Sequence, residues 1–321
     1  MLAKSSFCAD VSAQMGEDLI GYAINTPLYI LTECPPPWTA NALDSPRLPA
    51  ELKTCLQQCQ QTQGVRPLLI YNPQIQQTGQ TRVMIFRQPT GLATGYHVQE
   101  FQVASLEAVV PLLTTQLIHP QGGERPAEIR DILICTHGSH DRCCARYGKP
   151  FFYRAAKTVE ALEQPQVRVW QVSHIGCHRF APTLIDLPSG RYYGRLTPDS
   201  FAALLTRTGP IQVMAEIYRG WGMLPYEAQP LERELMLRHG WDWLDYPVSC
   251  RLIEAHPTKP IYRFELRFKP GAGAIKGYSG EVIEDGDRTI QLKVSCNSEK
   301  PSELAPAIVK NIEAIEVEPC I

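Results

Sequence analysis

The order of predicted elements places this 321-residue chain in the α/β (α+β) class. Three observations lead there. Short runs rich in β-branched and aromatic residues alternate with apolar patterns at helical spacing. Over the first third, and again over the middle third, the order is strand, helix, strand, strand, strand, helix. The last third changes to alternating strands around one helical stretch. The repeated order is that of a thioredoxin-like unit. Its first helix supplies the crossover that two parallel strands need, and its third and fourth strands can close an antiparallel hairpin. Three parts are expected: an N-terminal thioredoxin-like unit over 1–120, a thioredoxin-like domain holding the chemistry over 128–210, and a helix with a small β-rich sheet over 211–321.

In the first part, Leu19–Ala23 and Leu28–Thr32 read as strands, and Pro35-Pro36-Pro37 forces an extended loop. Leu52, Leu56 and Cys59 mark one helix face over Pro49–Gln63, with Gly64 as the stop. Arg66–Tyr71, Arg82–Arg87 and His97–Val103 are strand runs. Ser105 is placed to cap a short helix that Pro111 should bend. In the second part, Ile129–Cys135 and Val167–Val172 flank a helix over Pro150–Glu163, and Pro188-Ser189-Gly190 turns a hairpin between Thr183–Leu187 and Arg191–Leu196. Thr197-Pro198 starts a helix that Gly209 should end. In the third part, a helix over Glu232–Arg238 precedes strands at Cys250–Glu254, Tyr262–Phe268, Tyr278–Ile283 and Thr289–Val294, and a closing helix is expected near Ser302–Ile312.

Composition narrows the function. Hydrophobic residues make up 44% and charged residues 20%, as in a folded chain. A net charge of −2 gives no support for nucleic-acid binding. No apolar run approaches the ~18 residues of a membrane span, and Met1–Cys8 lacks the apolar core of a signal peptide. A reducing, cytoplasmic location is the expectation. There, eleven cysteines point to metal, cluster or thiol chemistry rather than to disulfides.

The informative residues follow two predicted parallel strands. The first ends in Cys135-Thr136-His137-Gly138-Ser139-His140-Asp141-Arg142-Cys143-Cys144, the second in His174-Ile175-Gly176-Cys177-His178. Loops at the carboxyl ends of neighbouring parallel strands lie side by side. Four cysteines and four histidines thus gather at one end of the domain. Two thiolates with two imidazoles suit either zinc or a two-iron, two-sulfide cluster. Cys143 cannot easily point where Cys144 points, and reads as a core or reserve residue.

Cys135-x8-Cys144 followed by His174-x-Gly176-x-His178 resembles the sucraferredoxin (sucrase/ferredoxin-like) family, whose pattern is Cys-x8-Cys, a variable spacer and His-x-Gly-Gly-His. Ile134–Gly138, His178–Pro182 and Leu187–Leu196 resemble it too; Cys8–Ser12 and Tyr218–Trp221 do so more loosely. The resemblance implies a thioredoxin-like ferredoxin holding one [2Fe-2S] cluster through Cys135, Cys144, His174 and His178. His137, His140, Cys143 and Cys177 are then candidates for the surrounding shell. Cys177 stands where the pattern has glycine, which leaves the loop geometry and ligand choice there open. Imidazole in place of thiolate makes a cluster less negative and its potential higher. A proton on the remote nitrogen would couple to the electron, so a one-electron carrier rather than a stand-alone enzyme is expected. No carboxylate pair supports sucrase activity.

Other readings stand beside this one. A zinc-stabilised interaction protein would use the same ligands, and a thiol-dependent reductase would use Cys143, Cys144 or Cys177, without the usual Cys-x-x-Cys. Cys135-x-His137 is half a Rieske pattern, with no Cys-x-x-His to complete it. Pro182 begins the strand where thioredoxin folds often place a cis proline; an ordinary trans proline at a strand start is the expectation, with cis as the alternative. Cys55 and Cys59 share a helix face as small buried residues. Cys34 takes the place of Cys135 in the first unit, whose second loop, Asn72–Gln77, has no Cys or His. That unit is expected to lack a cluster. Cys8, Cys250, Cys296 and Cys320 carry no spacing signal. Trp241 and Trp243 read as core. Arg142, Arg146, Lys149, Arg154, Lys157, Arg179, Arg191 and Arg195 could form a docking surface for an acidic redox protein.

Overall fold

The structure, a computed structural model, describes residues 7–317; residues 1–6 and Cys320 lie outside that range. The chain opens with helix α1 (Cys8–Gln14). The first unit follows as β1 (Leu28–Glu33), α2 (Ala50–Gln63), β2 (Val65–Tyr71), β3 (Thr81–Arg87), β4 (His97–Val103) and α3 (Val109–Ile118). The second unit is β5 (Arg130–Cys135), α4 (Lys149–Ala161), β6 (Val167–Val172), β7 (Leu184–Leu187), β8 (Arg191–Tyr193) and α5 (Pro198–Thr206). A short helix α6 (Val213–Ile217) leads into β9 (Tyr218–Trp221) and α7 (Gln229–His239). The remaining strands are β10 (Val248–Ala255), β11 (Ile261–Phe268), β12 (Lys276–Glu284), β13 (Ile290–Leu292), β14 (Ser302–Leu304) and β15 (Ala307–Ile315).

Nine strands make one mixed sheet, ordered β4-β3-β1-β2-β6-β5-β7-β8-β9, beside a four-stranded sheet β10-β11-β12-β15 and the pair β13-β14. The fold is thus mixed α/β with smaller separate sheets. Within the large sheet the two units repeat the same order and directions: β1 runs parallel to β2 and antiparallel to β3, as β5 runs parallel to β6 and antiparallel to β7. They join edge to edge where the ends of β2 and β6 pair antiparallel, Ile70 opposite Val172 and Tyr71 opposite Gln171. Ser173 extends the joint: its N–H donates to Leu69 O at 2.9 Å, and its hydroxyl accepts from Leu69 N–H at 3.0 Å.

The central strands are buried on both faces. Every residue of β1 is buried, as are Asp131–Cys135 of β5, which is why they read as continuous apolar runs. Helix α4 turns Phe151, Phe152 and Ala155 inward against β5 and β6. At the opposite end of these strands a charged network crosses the units. Asp131 of β5 pairs with Arg125 and Arg168, and Glu100 of β4 pairs with Arg82, Arg125 and Arg168.

Several expectations are corrected. Leu19–Ala23 is not a strand, although Leu19, Ile20 and Ala23 are buried; the N–H groups of Tyr22 and Ala23 both donate to Arg219 O, so no ladder forms. The helix after β4 starts at Val109 without a cap from Ser105, and Pro111 lies in its first turn, where its missing N–H costs nothing. Helix α5 ends at Arg207, which takes the left-handed conformation two residues before Gly209. Ser302–Ile312 is strand: Pro306 separates β14 from β15, and Ile308 and Val309 pair with Ile283 and Val282 of β12. The Ala181–Pro182 bond is cis. Trp243 is fully buried, with Trp241 packed beside the same core.

Candidate metal centre

Strand β5 delivers Cys135 at its carboxyl end, and the chain returns to it nine residues later. That return is a π-helical turn, Cys144–Gly148, leading into α4; such turns concentrate at functional sites. The turn can lie against the strand end only because residue 148 is glycine. A Cβ there would sit 1.9 Å from the Cys135 carbonyl oxygen. Cys135 and Cys144 Sγ consequently come within 3.3 Å, both buried and both free thiols.

The loop after β6 brings His174. Its Nδ1 lies 4.0 Å from each of the two sulfurs. Its backbone N–H donates to His137 Nδ1 at 3.1 Å, and His137 Nε2–H donates to Thr39 O at 2.7 Å. These bonds give His137 a neutral tautomer, and burial holds it below the usual imidazole range. His140 stacks on His174, ring centroids 3.7 Å apart, and its Nδ1–H donates to Ala40 O. Ser139 Oγ donates to Trp38 O. The first unit therefore shapes the centre through three consecutive carbonyls, those of Trp38, Thr39 and Ala40.

His178 opens a short 3₁₀ turn, His178–Phe180, after Cys177, which holds φ +52° and ψ +53°. This left-handed conformation explains physically why a glycine suits the position. The His178 side chain is 13% exposed and 3.3 Å from Asp141 Oδ2, yet neither ring nitrogen has an aligned hydrogen-bond partner. Burial keeps it below the usual imidazole range against the pull of Asp141. The four expected ligands are thus gathered in two overlapping sets that share His174. Ligand atoms of Cys135, Cys144 and His174 lie within 4.8 Å of one another, and so do those of His140, His174 and His178.

The chemistry of this donor set suits a soft-ligand metal centre. The mutual hydrogen bond of the two thiols draws Cys135 well below the ordinary thiol range and pushes Cys144 up. The His178 ring, held below the usual imidazole range by burial, has no aligned hydrogen bond at either nitrogen. A buried polar side chain without a partner is costly, and coordination would satisfy it.

A family model described as "Sucrase/ferredoxin-like" matches residues 19–220. The chain belongs to the sucrase/ferredoxin-like family. One relative, "Altered inheritance of mitochondria protein 32" of Clavispora lusitaniae, is 32% identical over 104 residues, which are 31% of this chain and 38% of that protein. The chain therefore matches well under half of that relative's length. No solved structure matches. The family match ends at Gly220, inside β9, so it covers nearly all of the nine-stranded sheet and the whole candidate centre.

Among the basic residues around the loops of this family member, Arg142, Arg146, Lys149, Arg154 and Lys157 are exposed. Three others are not available for docking. Arg179 is buried, paired with Glu17 at 2.7 Å and packed over Tyr22 and Phe180. Arg191 is buried against Glu232 and Trp221, and Arg195 donates to Glu17 O and Ser12 Oγ. Sequence reading missed Gly148 and the Trp38–Ala40 carbonyls. Gly148 carried no pattern that could have singled it out, and backbone acceptors leave no signal in side-chain types. Among the described residues no helix is long and apolar enough to cross a membrane.

Proposed function

We propose that this chain is an electron-transfer protein whose thioredoxin-like second unit holds one [2Fe-2S] cluster through Cys135, Cys144, His174 and His178. It works as a carrier rather than as a self-contained enzyme. The observation that carries the reading is the convergence of two buried free thiols and His174 Nδ1 beside the His178 ring, whose nitrogens make no aligned hydrogen bond. When bound, such a cluster supplies one-electron reduction and oxidation, at a potential raised by imidazole ligands.

The residues have separate tasks. Cys135 and Cys144 give up their protons on loading. His137, through its bond to the His174 N–H, fixes the loop that carries His174. The nitrogens of His174 and His178 left free by coordination hold or release a proton as the charge changes. Exposed Arg142, Arg146, Lys149, Arg154 and Lys157 give a positive face for an acidic redox protein.

Anaerobic purification with iron and acid-labile sulfide assays tests the core of the proposal. Wild type is expected to be reddish brown with about two irons and two sulfides per chain, and His174→Ala to lose both. Colourless wild type that binds only zinc would overturn it. A reduction potential flat from about pH 6 to about pH 9 would remove the proton coupling. Electron transfer to an acidic ferredoxin at a rate indifferent to salt would remove the docking face.

A further inference from the structure

Cys143 and Cys144 are adjacent, and their side chains diverge. Cys144 faces Cys135; Cys143 faces Cys8 at 3.4 Å and Cys296 at 3.3 Å, sulfur to sulfur. Cys8 and Cys296 complete the triangle at 3.6 Å. These three thiols come from distant segments: the start of α1, the turn before α4, and the loop between β13 and β14. Cys8 and Cys143 are buried and Cys296 is half-buried. A carboxylate oxygen of Asp141 lies with the three sulfurs inside a 4.8 Å span. Asp141 also orders the set. Its Oδ1 accepts from Cys143 N–H at 2.8 Å, and its Oδ2 accepts from Cys296 N–H at 3.1 Å and from the Ser295 hydroxyl at 3.2 Å. The Cys8 N–H points at Cys296 Sγ, 3.5 Å away.

We propose that Cys8, Cys143 and Cys296, with Asp141 as the fourth donor, form a second metal site that takes a structural zinc ion. Tetrahedral zinc with bonds of about 2.3 Å sets its sulfurs roughly 3.8 Å apart, so this near-equilateral triangle has only to open by a few tenths of an ångström. A disulfide would use two of the three sulfurs and require their closure to about 2.05 Å. Equal spacing of all three, with N–H groups aimed at sulfur and carboxylate, is what a shared central ion asks for. On loading, the three S–H protons pass to solvent and no electron moves. The ion ties α1 and the irregular loop carrying Cys296 to the turn that presents Cys144. It would brace the neighbouring centre, which Asp141 Oδ2 touches at His178, 3.3 Å away, and the proposal does not depend on the [2Fe-2S] reading.

The full chain, expressed with ample zinc and iron and purified anaerobically, tests this by elemental analysis. Wild type is expected to hold about one zinc per chain, and Cys8→Ser and Cys296→Ser each to lower zinc affinity about tenfold or more. Far-ultraviolet circular dichroism serves as the fold check on both variants. His174→Ala should keep its zinc. Cobalt titration gives a second readout: a near-ultraviolet thiolate-to-cobalt band in wild type that is absent from Cys296→Ser. Zinc-free wild type, zinc retained in both serine variants, or zinc lost in His174→Ala but not in them would overturn the proposal. So would a non-reduced mass two hydrogens lighter, the mark of a disulfide. Wild type without iron whose zinc still follows Cys8 and Cys296 would sink the cluster reading alone.

Discussion

In the first unit, β1 runs out through Cys34 into Pro35–Pro37 and Trp38; in the second, β5 runs out through Cys135 into a loop of three ring or thiol donors before Cys144. After β2 comes Asn72, whose side chain turns its own loop by accepting from Gln74 N–H; after β6 comes His174. The strand order is the same in both units, and a cysteine stands at the end of the first strand in both: Cys34 just after β1 and Cys135 as the last residue of β5. The chemistry differs because a single thiol has no second ligand to meet in the first unit. That unit supplies backbone carbonyls to the histidines of its neighbour instead. One scaffold, used twice in a sheet, thus divides into a part that presents the candidate ligands and a part whose carbonyls orient the histidines among them.

Five substitutions would break or sharpen this division. The largest effect is expected from paired changes at the two equivalent cysteines. Cys135→Ala should abolish iron binding, whereas Cys34→Ala should leave it intact and cost about 1 kcal/mol from a small cavity. Iron loss in Cys34→Ala would end the distinction. Next, Asp131→Ala removes a fully buried carboxylate that accepts from Arg168 and from Trp170 Nε1 at 2.7 Å. Leaving those arginines with Glu100 alone should cost about 3–5 kcal/mol in urea unfolding. A cost like that of an exposed ion pair would show that the network does not bind the units together.

Gly148→Ala tests how the second unit makes room for its return turn. The added methyl cannot fit against the Cys135 carbonyl. The variant should lose about 1–3 kcal/mol or more and hold iron poorly. Full iron content at unchanged stability would show that the close approach is not needed. The smallest effect is expected at Cys177. Cys177→Gly removes a side chain from a left-handed residue, and the relief of about 1–2 kcal/mol outweighs the added chain entropy of glycine by about 0.5–1 kcal/mol. The unfolding midpoint should rise and the iron stay. Lost iron would instead make Cys177 a ligand.

Much of the sheet could be read from the chain because its central strands are apolar on both faces and short. β2, β3, β4, β6 and β7 fall within a residue or two of the expected runs. The failures share a cause. Leu19–Ala23 is apolar enough for a strand, but its N–H groups are taken by Arg219 O from the other end of the sequence. Ser302–Ile312 has apolar residues that also satisfy a helical count, and pairing with β12 decides for strand. The basic surface was overestimated for a similar reason: Arg179, Arg191 and Arg195 meet Glu17, Glu232 and Ser12, and only the folded chain brings those together.

The eleven cysteines illustrate where sequence ends and tertiary structure begins. Loops at the ends of adjacent parallel strands must be neighbours, which gathered four cysteines and four histidines at one end of the domain; the resemblance to the family pattern then picked out Cys135, Cys144, His174 and His178. The first inference needs only local order and the sheet rule. It could say nothing of Cys8 and Cys296, which are 288 residues apart and yet sit 3.6 Å apart on either side of Cys143. No local propensity encodes a contact between segments so distant. It arises when α1 and the loop after β13 pack on the turn before α4, so the partner of Cys143 is a property of the fold alone.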